Sequence, residues 1–175
     1  MNLGKFGRLS VAVSVGAMLT VAATAQEWKP SKPVRIVVPI VGSTNDVLAR
    51  IVAPKLQEAF GQPFIVENKP GGGGNIGANE VVKSAPDGHT LLVGYNGPLA
   101  INVSLFDTMP YDPVKQLAPI SLAVKSPQYL VVSPASGITS VNDLVSKAKA
   151  APTKYSYASI ALGSSSHLTM EMLKA

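Results

Sequence analysis

The chain has no cysteine, only two histidines, and charged residues at just 14% of its 175 positions. Without cysteine there is no disulfide, no thiolate metal site and no thiol nucleophile. His89 and His167 lie far apart in the chain, so a histidine-based metal site is not expected. Aromatic residues make up 6%, and no run of Lys or Arg occurs. Nucleic acid, which needs a basic stripe and rings to stack on, is therefore a poor partner. The carboxylates are dispersed, and none pair as an acid and a base.

What is present is apolar. Hydrophobic residues reach 46%, enough to bury a sizeable core and to argue against disorder. The length suits one ordinary domain, or one and a fraction. Lys5 and Arg8 open the chain, an apolar stretch covers 9–22, and Ala23-Thr24-Ala25 has the small-x-small form of a cleavage site. Residues 1–25 read as a secretory signal peptide, because the apolar stretch is short for a membrane span of about 20 residues. They carry two of the five net positive charges, leaving a mild bias of three on the rest.

From residue 33 the pattern alternates. Val34-Arg35-Ile36-Val37-Val38 is a β-branched run between Pro33 and Pro39, expected to be a buried strand. Leu48, Ile51, Val52, Leu56, Ala59 and Phe60 recur at helical spacing, with Ser43, Thr44 and Asn45 as N-cap candidates and Gly61 as the stop. Pro54 inside that pattern leaves room for a kink or a restart. A second strand is expected over 64–67, a helix over 75–85 and a third strand over 90–94. Strand–helix–strand–helix–strand predicts an α/β layer on a parallel sheet. Further on, a short helix is expected over 101–106, strands over 119–124, 129–133 and 155–159, and helices after Ser140 and after Gly163. The chain ends inside that last helix, as a fragment of a longer protein would.

Between the second strand and its helix stand four consecutive glycines, 71–74. They suggest a phosphate cradle, but no Lys-Ser/Thr pair follows the last glycine of the stretch, Gly77. Nor does an acidic residue lie near position 97, where a dinucleotide fingerprint would place one. The stretch is read as a tight structural connection.

Two other junctions, 38–46 and 159–167, place small hydroxyl residues at helix starts. Unpaired N–H groups and the positive end of the helix dipole make such places fit for a carboxylate or a phosphate. N-capping alone would explain either one. As a pair at the carboxyl ends of successive units they suggest a ligand site. Ala161-Leu162-Gly163-Ser164-Ser165 is not a nucleophile elbow, and His167 beside the serines is not a triad arrangement. His167 is expected to pack or hydrogen-bond beside the helix start.

Several pieces taken in order carry a resemblance: Lys32-Pro33-Val34-Arg35-Ile36-Val37-Val38-Pro39; Asp46-Val47-Leu48-Ala49-Arg50; Val66-Glu67-Asn68-Lys69-Pro70-Gly71 through Asn75-Ile76-Gly77-Ala78; Ala85-Pro86-Asp87-Gly88-His89-Thr90-Leu91-Leu92; Pro110-Tyr111-Asp112-Pro113; and Gly163-Ser164-Ser165-Ser166-His167-Leu168. Together they closely resemble the Bug (TctC-like) extracytoplasmic solute receptors of tripartite tricarboxylate transporters.

The resemblance implies an α/β, type II periplasmic binding protein with two lobes around a cleft. The first lobe would cover 26–100, and 101–175 would be an incomplete second lobe. It implies a small carboxylate as ligand, membrane permease subunits as partners, no cofactor and no chemistry. The ligand residues it implies are Val41, Gly42, Ser43, Thr44 and Asp46 in the first loop, Tyr95 and Asn96 after the third strand, and Gly163, Ser164, Ser165 and Ser166. Two departures from the family pattern fall on this pocket. The first loop looks one residue short, and Ala161-Leu162-Gly163 stands where a Gly-Asn-Gly-like run is usual. The alternatives are a truncated remnant that binds nothing and a periplasmic sensing or interaction module.

Overall fold

The computed structural model describes residues 28–175. The signal-peptide reading of 1–25 lies outside the described residues. Strand β1 (Val34–Val38) is central in a three-stranded parallel sheet of order β2-β1-β3, with β2 at Phe64–Asn68 and β3 at Thr90–Leu92. Val34 lies opposite Phe64, and Ile36 lies between Val66 and Leu91. Helix α1 (Thr44–Phe60) links β1 to β2, and α2 (Asn75–Val82) links β2 to β3. This is the expected α/β layer.

The alternation of a strand sorts β1 onto two faces. Val34, Ile36 and Val38 join Ala49 and Ala53 of α1 and Phe64 of β2 in the core, with Leu56, Val66, Leu91 and Val93 against it. Arg35 and Val37 point the other way, towards α2, which packs over β1 and β3. Arg35 there grips Glu67 with two bonds (Nε to Oε1 3.0 Å, Nη2 to Oε2 2.8 Å) and also pairs with Glu80 of α2. A half-buried charge in the central strand is thus fully matched, as burial demands. The Arg35 guanidinium in turn holds the Glu67 carboxyl below its usual range.

Ser43 caps α1 by accepting the Asp46 N–H, and Gly61 closes it in the left-handed region, its N–H on Gln57 O at 2.9 Å. The helix runs through Pro54 unbroken. Trp28 anchors the extended lead-in. Its Nε1 donates to Asp87 O (3.0 Å), and its ring meets Phe60 edge-on at 5.6 Å.

After β3 come a π-type turn at Gly97–Ile101 and the short helix α3 (Asn102–Leu105). Helix α4 (Val141–Ala150) is capped by Ser140, and the Asp143 carboxylate reaches back to the Thr139 N–H at 3.1 Å. Helix α5 (Ser165–Lys174) is capped by Ser164. The strands expected over 119–124, 129–133 and 155–159 are not formed; these stretches are irregular. Every residue from 118 to 137 is exposed, and no described segment lies alongside to pair with. A strand needs a neighbour to take its backbone groups, whatever its side chains prefer. Two other bounds shift: α2 stops at Val82 rather than 85, and β3 at Leu92 rather than 94.

Candidate ligand-binding cleft

At the carboxyl ends of the strands lies a cleft of about 300 Å³. One wall is Pro39, Ile40 and Val41, leading from β1 to α1; the floor is Pro70, Gly71, Gly73 and Gly74 with Tyr95; the far wall is Ile160 and Ala161, leading to α5. The two hydroxyl-rich junctions therefore open onto one space, although more than a hundred residues separate them in the chain.

The first junction is tied down by Asp46, which is 6% exposed. Its Oδ2 accepts the Gly42 N–H (2.9 Å), and its Oδ1 accepts from Asn68 Nδ2 (3.0 Å) and Arg50 Nε (3.1 Å). The Asn68 amide foremost, then the Gly42 N–H and Arg50, hold this carboxyl below its usual range. Asp46 is thus occupied in shaping the loop. Ser43 Oγ is likewise occupied as the cap, accepting the Asp46 N–H at 3.3 Å. The N–H groups of Thr44 and Asn45, in the first turn of α1, have no acceptor within the helix. Asn45 Nδ2 donates to Gly94 O at 2.6 Å, joining this loop to the end of β3.

The second junction is a knot of short-range bonds. Ser164 Oγ accepts the His167 N–H (3.2 Å) and lies 2.9 Å from Ser166 Oγ, which also accepts from Ile160 N (3.2 Å). Ser164 is buried. His167 Nδ1 accepts the Gly163 N–H at 3.3 Å, which places His167 beside the helix start as expected and turns that nitrogen away from the serine hydroxyls. Asn96 Nδ2 donates to Ser165 Oγ at 2.6 Å, so the loop after β3 meets the second junction directly. Among the described residues no cluster of His, Asp or Glu could hold a metal ion.

The two walls are held together through the glycine stretch. Tyr95 Oη and Asn102 Nδ2 both donate to Gly73 O at 2.9 Å. Asn102, fully buried, also donates to Asn75 Oδ1 (2.6 Å), and Tyr111 Oη donates to Pro98 O (2.7 Å) while lying 3.1 Å from Asn75 Oδ1. Burial raises the Tyr111 hydroxyl to about 12. Gly73 (φ 61°) and Gly163 (φ 74°) are in the left-handed region. A Cβ on Gly73 would come 3.0 Å from Leu162 O, and one on Gly163 would come 2.3 Å from Asn102 Oδ1. Only glycine lets these backbones approach so closely.

The glycine stretch, read from sequence as a connection, is therefore also the floor of the cleft. Sequence reasoning placed Ile160 and Ala161 in the second junction without naming them as ligand residues, and did not single out Asn45, Asn68, Asn75, Asn102 and Tyr111 as supports. The four glycines were a signal of close backbone approach. The asparagines gave none, because only the fold brings them together.

A parallel α/β layer whose loops converge on a cleft at the strand ends is the layout of a periplasmic binding protein. A solved structure of the periplasmic binding protein BugD is similar to it, 28% identical with a TM-score of 0.66, covering 83% of this chain and 50% of that one. A second, R. palustris Rpa4515 with adipate, is 40% identical with a TM-score of 0.79, covering 83% of this chain and 49% of that one. A third, MatC from Rhodopseudomonas palustris with bound malate, is 31% identical with a TM-score of 0.77, covering 83% and 51%. The chain belongs to the tripartite tricarboxylate transporter receptor family, whose model matches residues 48–175. Protein BugT of Bordetella pertussis is 37% identical over 155 residues, which are 87% of this chain and 48% of that protein. The chain spans about half the length of the curated relatives it matches.

Proposed function

We propose that this chain is the ligand-capturing part of a periplasmic receptor that takes up a small carboxylate and passes it to the permease subunits of a tripartite tricarboxylate transporter. The observation that carries the reading is the convergence of the α1 and α5 approaches on one cleft. The family membership and the adipate- and malate-bound neighbours support it. Residues 26–100 are assigned to the first lobe and 101–175 to part of the second.

The carboxylate accepts N–H groups from the first turns of α1 and α5 and hydroxyls from Thr44 and Ser165. Each such charge-assisted bond is stronger than a neutral one, and the helix dipoles add to it. Val41 and Gly42 shape the entry, Ser43 and Asp46 hold it, Ser164 and Ser166 set the α5 start, and Gly163, Tyr95 and Asn96 keep the walls in register. Closure of the walls around the ligand is the signal to the permease. No bond is made or broken, and no cofactor is needed.

Calorimetry on the purified chain with mono-, di- and tricarboxylates and aromatic acids tests this. One-to-one binding of at least one acid is expected. No heat with any of them sinks the reading. Recovery of the chain in the periplasmic fraction, and its retention by membranes that carry the permease but not by membranes that lack it, checks location and partner.

A further inference from the structure

The side chains that wall the cleft are hydrocarbon apart from Tyr95, and the rest of its surface is backbone. Pro39, Ile40, Val41, Pro70, Ile160 and Ala161 supply its side-chain surface, and among the described residues none that lines it is charged. Tyr95 brings the one polar side chain, and its hydroxyl is already spent on Gly73 O. Val41 and Ile160, on opposite walls, turn most of their apolar surface to solvent, at 65% and 62% exposure. The cations that stand near are matched elsewhere. Arg50 is on Asp46 and Asn68, and Arg35 and Lys69 are on Glu67 and Glu80.

These facts divide the ligand in two. One carboxylate can be met by the backbone N–H groups and hydroxyls at the two helix starts together. Anything beyond it lies against Ile40, Val41 and Ile160. A second or third carboxylate there would lose its water with no cation among the described lining residues to replace it, and a hydroxyl would find no free side-chain partner there. A methylene or ring carbon gains, because it is removed from water together with the exposed wall.

We infer that the cleft selects a carboxylate with an unsubstituted hydrocarbon body, aliphatic or aromatic, over hydroxylated acids and tricarboxylates. This rests on the proposed reading of the cleft as a carboxylate site and names the class it prefers.

The test is a homologous series on the full chain by calorimetry: butanoate, hexanoate and octanoate, against malate and citrate. Affinity is expected to rise about threefold per added methylene, in keeping with partial burial of each. Hexanoate is expected to bind at least about tenfold tighter than malate or citrate, about 1.4 kcal/mol. Ile160→Asn, on a largely exposed side chain, is expected to keep the far-ultraviolet circular dichroism and to reduce the gain per methylene. A flat series, or malate or citrate binding as tightly as hexanoate, overturns the selectivity and leaves carboxylate capture standing. An unchanged gain per methylene in Ile160→Asn overturns it as well, since the wall would then not touch the ligand body. If no acid of any class binds, the carboxylate site falls and the selectivity with it.

Discussion

Val34–Val38 finds a hydrogen-bonded strand on each side, whereas 119–124 and 129–133, also apolar but with fewer β-branched residues, lie unpaired and exposed. The helices show no such contrast. Ser43 caps α1 in the first region and Ser140 caps α4 in the second, each by accepting the N–H three residues on. A helix closes its hydrogen bonds within itself, so local sequence suffices to place it. A strand is completed by whatever lies beside it. The curated relatives are about twice as long as this chain.

Substitutions that separate the two regions would sharpen this contrast or break it. The largest effect is expected at Phe64, 7% exposed in the core. Phe64→Ala should destabilise by about 3 kcal/mol, read as a lower urea midpoint. A change under half of that would mean that the first region does not rest on its core. Next is Gly163→Ala, which puts a side chain in the left-handed region and 2.3 Å from Asn102 Oδ1. It should cost about 2 kcal/mol. A neutral result would show that the second junction is not held against α3.

Asp112, Asp143 and Glu171 in the second region also lie below their ordinary range, but the buried Asp46 belongs to the first, so acid should act on the first region more. The Asp46, Glu67 and Asp87 carboxyls lie below their ordinary range, Asp87 at about 2. Unfolded carboxyls titrate near about 4, so between these values the unfolded chain binds more protons than the folded one. The stability they contribute is complete above about pH 5 and is lost as pH falls towards about 2. Urea midpoints at a series of pH values check the sign, and a constant midpoint would contradict it. Asp46→Asn should flatten this slope more than Asp143→Asn. Asp46 is itself buried where it holds its loop, whereas Asp143 stands at the start of an open helix.

Smaller still is Asn96→Ala, which removes the link to Ser165 Oγ at a cost of about 1 kcal/mol. The expected signature is a weaker response to carboxylate with little change in the sheet. The smallest change is expected at Val131, 81% exposed. Val131→Ala should stay within about 0.5 kcal/mol. A larger loss would reveal a partner for this stretch and undo the contrast.

The layer was legible because its signals are local and agree. Pro33 and Pro39 bracket β1, Ser43 and Gly61 bracket α1, and Pro86-Asp87-Gly88 marks the turn before β3. Pro54 was a local signal that did not prevail, since α1 carries on through it between a satisfied cap at each end. In the cleft the legible parts were again local. Hydroxyl caps are visible in sequence, and Ser43 and Ser164 do cap. What they leave available was not visible. Asp46 looks like a ligand residue until Asn68, Arg50 and the Gly42 N–H are seen to occupy it.

Sequence alone determined where the helices start, the central strand and the family, because caps, prolines and periodic apolar residues act over a few positions. The tertiary structure decided which apolar stretches become strands and which serines and acids are already spent. It also decided that the glycines 71–74 lie beneath the cleft, against Tyr95 and Asn102. Those outcomes depend on groups far apart in the chain, and a hydrogen bond or a close backbone approach exists only where folding brings both partners to one place.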